Sequence, residues 1–155
     1  MMRVRSKIRV QTEAFDVAEV IDDLRAGDPA VGAIASFIGV VRDLNDGASV
    51  ATMTLEHYPG MTEKALQAIV ADAEDRWDLI AVSVVHRVGE LRPTDPIVLV
   101  AVASSHRGDA FQACEFIMDY LKTRAPFWKK EQDSQGTRWV ESRSSDARAA
   151  GRWKT

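Results

Sequence analysis

Cysteine is nearly absent from this sequence of 155 residues, which contains only Cys114. One cysteine cannot form an intramolecular disulfide or supply a cysteine-based metal cluster. Its place on the apolar stripe of a predicted helix indicates a buried, inert thiol. The three histidines, His57, His86 and His106, lie far apart and have no metal-ligand spacing. We therefore expect no metal site and no cofactor.

Long hydrophobic runs are also missing. No run approaches the length that crosses a membrane, and residues 1–7 carry charges without an apolar segment behind them. The formal net charge of −3 argues against a general nucleic-acid-binding protein. No glycine-rich phosphate loop or internal repeat is present. We expect a globular protein in the cytoplasm, with an ordinary composition of 46% hydrophobic and 28% charged residues.

The spacing of apolar residues predicts an α+β fold. Helices are predicted from Asp16, over 62–77 and up to Pro126, and pairs of strands separate them. This order favours antiparallel sheets over a doubly wound parallel sheet. We predict a single catalytic domain over 1–141 and a polar tail over 142–155, which is mobile unless Trp153 docks it. The predicted strands are 6–11, 31–41, 50–58, 79–88, 97–104, 127–132 and 137–141.

Positive charge is concentrated in residues 119–130, where four lysines and arginines fall within nine positions. An apolar helical pattern leads into this stretch, and Pro126 ends the helix, so Lys122 lies in its last turn. Lys129 then follows on a predicted strand. Two lysines that converge from two elements suggest an anion site. Each lysine also has a structural explanation. The helix dipole favours a cation such as Lys122 in a last turn, and Lys129 could lie on a solvated strand edge. Spacing alone leaves both alternatives open.

Three other cations or potential cations stand where a ligand could bind. Arg42 follows a predicted strand, although a surface pair with Asp43 would explain it equally well. His106 and Arg107 precede the long helix, whose free backbone N–H groups also favour anions. A capping role for Ser or His at this helix start is the alternative reading.

Five segments together resemble the large catalytic subunit of molybdopterin synthase. They occur in the same order as in that family and span about two-thirds of the chain, so they are far more specific together than singly. The segments are Phe37-Ile38-Gly39-Val40-Val41-Arg42, Leu55-Glu56-His57-Tyr58-Pro59-Gly60-Met61, His86-Arg87-Val88-Gly89, Ser105-His106-Arg107, and Asp119 to Lys130.

The resemblance implies an α/β-hammerhead fold of the α+β type with three main helices. It implies an enzyme, a sulfurtransferase of molybdenum cofactor biosynthesis that converts cyclic pyranopterin monophosphate into the dithiolene molybdopterin. Sulfur would come from the C-terminal thiocarboxylate of a small ubiquitin-like carrier subunit. The expected assembly is a homodimer of this chain with one carrier at each end, a heterotetramer.

The resemblance also implies roles for single residues. Lys122 and Lys129 match the catalytic lysines, while Arg42, His106 and Arg107 match residues that bind the anionic substrate. Phe37 and Glu131 match pocket positions of the family whose roles are less defined. The residue types agree with the chemistry, because a cyclic phosphate and a thiocarboxylate are both anions. Neighbouring cations can also give a lysine enough neutral form to act as a base or nucleophile.

Three other functions use the same residues. In a nucleic-acid-binding module, the bases of a single strand would stack on Phe127 and Trp128, and the binding affinity would depend strongly on salt. A cyclic phosphoesterase would open the substrate without any partner. A non-catalytic scaffold would only recognise the carrier.

Overall fold

The computed structural model describes residues 3–45, 48–49, 52–133, 136–140 and 144–154. Within them, helices and strands alternate as the α+β prediction requires, and no helix is long and apolar enough to cross a membrane. The helices are α1 (Val17–Arg25), α2 (Met61–Arg76), α3 (Arg107–Arg124) and α4 (Ser144–Gly151). The strands are β1 (Arg5–Gln11), β2 (Ala33–Val40), β3 (Leu44–Asn45), β4 (Ala48–Ser49), β5 (Thr52–His57), β6 (Ala81–Arg87), β7 (Gly89–Leu91), β8 (Pro96–Ser104), β9 (Phe127–Asp133) and β10 (Gly136–Val140).

Two four-stranded sheets form the scaffold. The first has the order β1-β6-β8-β2 and the second the order β10-β9-β5-β7, while β3 and β4 pair separately. Strands β1 and β6 are parallel, and the other described pairs are antiparallel. The prediction of antiparallel sheets is therefore confirmed, with one parallel pair as the exception.

The central strands of the first sheet are buried on both faces, which explains their continuous β-branched sequences. On one face of β8, Val98, Val100 and Val102 belong to the same core as α2 and α3. On the other face, Leu99 and Ala101 pack with residues of α1. The sheet is thus sandwiched between helices, and its edge strand β2 is left at the side.

Helix α3 runs back over the strand that precedes it. Its Cys114 thiol donates to the Val100 carbonyl oxygen at 3.7 Å, which places the middle of α3 over the middle of β8. Burial raises the pKa of this thiol to about 11, and the predicted burial of Cys114 is confirmed. The helix ends where predicted, since Ala125 before Pro126 is extended, with φ −82° and ψ 132°. Its last turn therefore lies over the beginning of β8.

The second sheet carries its apolar side chains on one face. Met53 and Leu55 of β5 are buried there, with 4% and 7% of their surface exposed, as their alternation predicts. Strand β9 lies between β5 and β10, so it is an interior strand and not the solvated edge of the alternative reading. Strand β7 lies outside the predicted strands, between 79–88 and 97–104; Gly89 enters it with φ 89°.

The C-terminal segment packs on the end of α3. The Trp153 indole meets the rings of Trp77 and Phe116 edge-on, both at 5.6 Å between centroids. Its N–H donates to the Asp119 carboxylate at 2.6 Å, and its carbonyl oxygen accepts from Arg76 at 2.8 Å. Trp153 is thus docked, and helix α4 precedes it.

Candidate active site

Lys122 lies in the last turn of α3 and is exposed. Because α3 is antiparallel to β8, its last turn lies near Pro96, the first residue of β8. Val40 of β2 pairs with Pro96, so it lies at the same end of the sheet. The charge of Lys122 acts on the buried imidazole of His86, at the end of the adjacent β6. The predicted position of Lys122 at a helix end is confirmed.

Lys129 lies on the inner face of β9. It is directly opposite the buried Leu55 of β5, and residues at period two, Phe127 and Glu131, lie on the same face. Lys129 is half-buried, while Glu131 has 4% of its surface exposed, opposite Met53. Lys130 points the other way and stacks on Trp139, outside the site. The inner face therefore presents one ammonium beside one buried carboxylate.

The ring of Phe127 joins the two lysine-bearing elements to the first sheet. It is stacked on the imidazole of His86, with 3.8 Å between centroids and 15° between planes. Lys122 is five residues before Phe127, at the helix end, and Lys129 is two residues after it on the strand. The two candidate catalytic lysines thus flank one short turn, and Phe127 beside that turn packs on His86.

His86 is a neutral part of this contact. Burial lowers its pKa from 6.5 to about 4; the backbone hydrogen bond to Arg87 opposes this shift, and the charges of Lys122 and His57 add to it. Because a carbonyl oxygen can only accept, the 2.8 Å contact to the Arg87 oxygen requires a hydrogen on Nδ1. His86 is therefore a neutral, buried ring that packs on Phe127.

The free energy of unfolding should fall in acid because of His86. Between pH 6.5 and 4 the unfolded chain binds a proton at this histidine and the folded chain does not, so stability falls as pH falls. The expected loss across this window is on the order of 3 kcal/mol. Urea denaturation at several pH values should show the slope in the wild type and a smaller slope in His86→Phe, which keeps an aromatic ring. Equal slopes would contradict the assignment.

Arg42 lies at the same end of the sheet as Lys122. It follows Val41, which is buried and whose backbone N–H donates to the Asp95 carbonyl oxygen at 2.9 Å. The Arg42 side chain is exposed. Burial of Val41 and its backbone pairing fix the chain just before Arg42 at this end of β2.

Phe37 lies on the edge strand β2, opposite Val100 and on the face that α3 covers. Its ring is 42% exposed and lies beside Gly39, where an added Cβ would come within 3.4 Å of the Phe37 ring and 2.8 Å of a Val98 methyl. A glycine at position 39 therefore leaves the space that this ring orientation needs.

His106 and Arg107 lie at the other end of α3. Lys122 follows Arg107 by 15 helical residues, about 22 Å along the axis at ~1.5 Å per residue. His106 occupies the N-cap position but makes no side-chain cap hydrogen bond, so the capping alternative is wrong for this residue. Both side chains are exposed. Within one chain, Lys122 and Lys129 therefore flank the α3–β9 turn and Arg42 follows β2, whereas His106 and Arg107 lie at the opposite end of α3.

An apolar surface lies between these two ends. It consists of side chains on β2 and α3 that are 42–64% exposed, and among the described strands β2 pairs only with β8. Exposed patches of this kind mark interaction surfaces more often than scattered single residues do. Its members are Phe37, Val40 and Phe111, while Ile38 lies on the other face of β2.

The chemistry available at the turn is that of an anion site. Two ammonium groups and one guanidinium can bind phosphate or carboxylate groups and stabilise charge that develops during a reaction. Among the described residues, no group of three histidine, cysteine or acidic side chains is placed to hold a metal ion.

Comparisons with known proteins agree on one family. The family model described as MoaE protein matches residues 10–124. The chain is 67% identical over 146 residues to the molybdopterin synthase catalytic subunit of Ralstonia nicotianae, covering 94% of this chain and 83% of that protein. Lys129 lies beyond the last residue that the family model matches.

Solved structures show the same relationship. The molybdopterin biosynthesis MoaE protein from Burkholderia ambifaria superposes with a TM-score of 0.82 at 58% identity, covering 96% of this chain and 97% of that one. Molybdopterin synthase from Staphylococcus aureus gives a TM-score of 0.79 at 32% identity, covering 85% and 95%. The likeness extends over the fold and over most of the sequence.

Proposed function

We propose, from the premise that this chain belongs to the MoaE family of molybdopterin synthase catalytic subunits, that the α3–β9 turn is where it transfers sulfur. The acceptor would be cyclic pyranopterin monophosphate, and the donor the C-terminal thiocarboxylate of a small ubiquitin-like carrier subunit. The product is the dithiolene of molybdopterin. The cytoplasm, expected from the sequence, is the proposed location.

The placement of Lys122 and Lys129 on either side of one two-residue turn carries this proposal. A thiocarboxylate and a cyclic phosphate are both anionic, so binding them side by side requires several cations. Lys129 projects from an interior strand among buried side chains, where its charge is screened less than in open solvent. In this proposal Lys122 acts on the reacting carbonyl or its sulfur as charge anchor or base, and Lys129 holds the developing negative charge. Arg42 binds the substrate from the β2 side.

The opposite placement of His106 and Arg107 supports a homodimer. Since α3 separates them from Lys122 within one chain, their proposed contact with the substrate requires a second copy. The apolar surface of β2 and α3, which includes Phe37, supplies a face on which two copies could pack. Each pocket would then take Lys122 and Lys129 from one copy and His106 and Arg107 from its partner. Glu131 would orient Lys129 from within the inner face of β9.

A composite pocket predicts complementation between inactive variants. Lys122→Ala and Arg107→Ala should each be nearly inactive alone, whereas mixed dimers contain one pocket with every side chain intact. If subunits pair at random, half of the dimers are mixed, so an equimolar mixture should recover about a quarter of wild-type turnover. Refolding or co-expression of the two variants, followed by an activity assay, measures this. No recovery from dimers shown to be mixed would place both sets of residues in one chain's own pocket.

Carrier dependence tests the proposed function itself. Purified protein is incubated with cyclic pyranopterin monophosphate and either the thiocarboxylated carrier, the carrier with an ordinary carboxylate, or no carrier. We expect dithiolene only with the thiocarboxylate. Opening of the cyclic phosphate without carrier would instead establish the phosphoesterase function, and carrier binding without any product from folded protein would establish the scaffold function.

A further inference from the structure

The turn between α3 and β9 is held by one buried hydroxyl. Thr62, the second residue of α2, is fully buried, and its Oγ1 donates to the Pro126 carbonyl oxygen at 3.1 Å. The Thr62 Oγ1 also accepts a hydrogen bond from the Tyr58 backbone N–H at 3.1 Å. A single hydroxyl thus connects the end of β5, the start of α2 and the α3–β9 turn, which is 64 residues away in sequence.

The position of this hydroxyl matters because the turn is short. Only Ala125 and Pro126 separate α3 from β9, so Lys122 is four residues before Pro126 and Lys129 three after it. The stack of Phe127 on His86 holds the turn from the first sheet, and the Thr62 hydrogen bond holds it from α2. Since Pro126 has no N–H, its carbonyl is the only backbone hydrogen-bonding group by which this residue can be held.

We propose that Thr62 is a positioning residue for sulfur transfer, because its hydroxyl fixes the turn that sets the separation of the Lys122 and Lys129 ammonium groups. This inference rests on the proposed function of the two lysines. Thr62 does not touch the substrate; it acts through Pro126. The hydroxyl serves as donor and acceptor at once, so an isosteric apolar residue leaves both the Tyr58 N–H and the Pro126 carbonyl without this partner.

Thr62→Val and Thr62→Ser separate the hydroxyl from the shape of the side chain. Valine keeps the volume without the hydroxyl, and serine keeps the hydroxyl without the methyl. We expect Thr62→Val to lower kcat about 10- to 100-fold with a smaller change in KM, because a small displacement of catalytic groups costs rate more than binding. Thr62→Ser should restore kcat to within about threefold of wild type, since it can make both hydrogen bonds.

Thr123→Val is the matched control. Thr123 is next to Lys122, but its hydroxyl bonds to the Asp119 and Tyr120 carbonyls inside α3. The same substitution there should leave kcat within about twofold of wild type. Equal loss of kcat in Thr62→Val and Thr62→Ser, or full activity in Thr62→Val, would overturn the proposal.

Chemical cross-linking tests the inference without relying on turnover. A short amine-reactive cross-linker, followed by mass spectrometry of the digested protein, reports the yield of the Lys122–Lys129 link. We expect this yield to fall severalfold in folded Thr62→Val and to match wild type in Thr62→Ser. Unchanged yield in Thr62→Val would overturn the inference even if the protein were active, and a changed yield in a protein without sulfur transfer would reject only the proposed function. If Thr62→Val does not fold, Thr62→Ala is compared with Thr62→Ser instead, because these two side chains differ only by the hydroxyl oxygen.

Discussion

Lys122→Ala is expected to lower the rate of dithiolene formation by at least about 1,000-fold, because it removes the charge and the only proton-transferring group at the end of α3 that the proposal assigns to the reaction. Lys122 is exposed, so the free energy of unfolding should change by less than about 0.5 kcal/mol. Single-turnover kinetics with saturating thiocarboxylated carrier measure the chemical step directly. Carrier affinity, measured separately, shows whether binding also changes.

Two further variants test whether the loss is specific to Lys122 and whether it comes from charge or from proton transfer. Lys64→Ala removes an exposed lysine from another helix, α2, and should leave the rate unchanged. Lys122→Arg keeps the positive charge but cannot deprotonate under these conditions. If Lys122→Arg retained full turnover, a role for Lys122 as base or nucleophile would be wrong, and a charge anchor alone would account for the site.

Phe116→Ala is expected to lower the free energy of unfolding by about 3–5 kcal/mol. The Phe116 side chain is 1% exposed and packs edge-on against Trp77, Tyr120 and Trp153, and the Arg76 guanidinium lies 4.8 Å from its ring centre. Removal of the ring therefore leaves a cavity between α2, α3 and the C-terminal segment. A domain of this size is stable by about 5–15 kcal/mol, so the loss is a large fraction of the total.

Phe111→Ala provides the control in the same helix. Phe111 is 64% exposed, so its truncation should cost less than about 1 kcal/mol in the isolated chain. Urea denaturation followed by circular dichroism measures both variants. Similar losses for Phe111→Ala and Phe116→Ala would contradict the packing described for α3.

The lysine-bearing turn could be predicted because its signals are local. The apolar stripe of Cys114 and its helical neighbours, followed by Pro126, defines the helix end, and alternation defines β9. The structure confirms that Lys122 and Lys129 come from these two elements. Their catalytic roles stay predictions that the variants above must test.

Strand β7 and helix α4 could not be predicted in the same way. The three residues Gly89–Leu91 become a strand because β5 lies beside them, which is a long-range pairing. Helix α4 is short and polar, and a helix of this length is marginal without tertiary contacts. Here Trp153, just after it, supplies such contacts on Trp77 and Phe116. Thr62 gave no sequence signal either, since its hydrogen bond depends on a turn 64 residues away.

The separation of His106 and Arg107 from Lys122 can be predicted from the sequence. The predicted long helix already lies between them, and its rise of ~1.5 Å per residue sets a distance that one chain cannot close. The family resemblance assigns His106, Arg107 and Lys122 to one pocket, whereas α3 holds the first two far from Lys122 within one chain. The proposed pocket therefore requires residues from two copies of the chain.

Transfer of labelled sulfur is the most direct test of the central claim. The carrier is prepared with ³⁴S in its C-terminal thiocarboxylate, mixed with substrate and excess wild-type protein for a single turnover, and both products are analysed by mass spectrometry. The account predicts that the label leaves the carrier and appears in the dithiolene, and that Lys122→Ala blocks both changes. Substrate conversion with the label still on the carrier would contradict it.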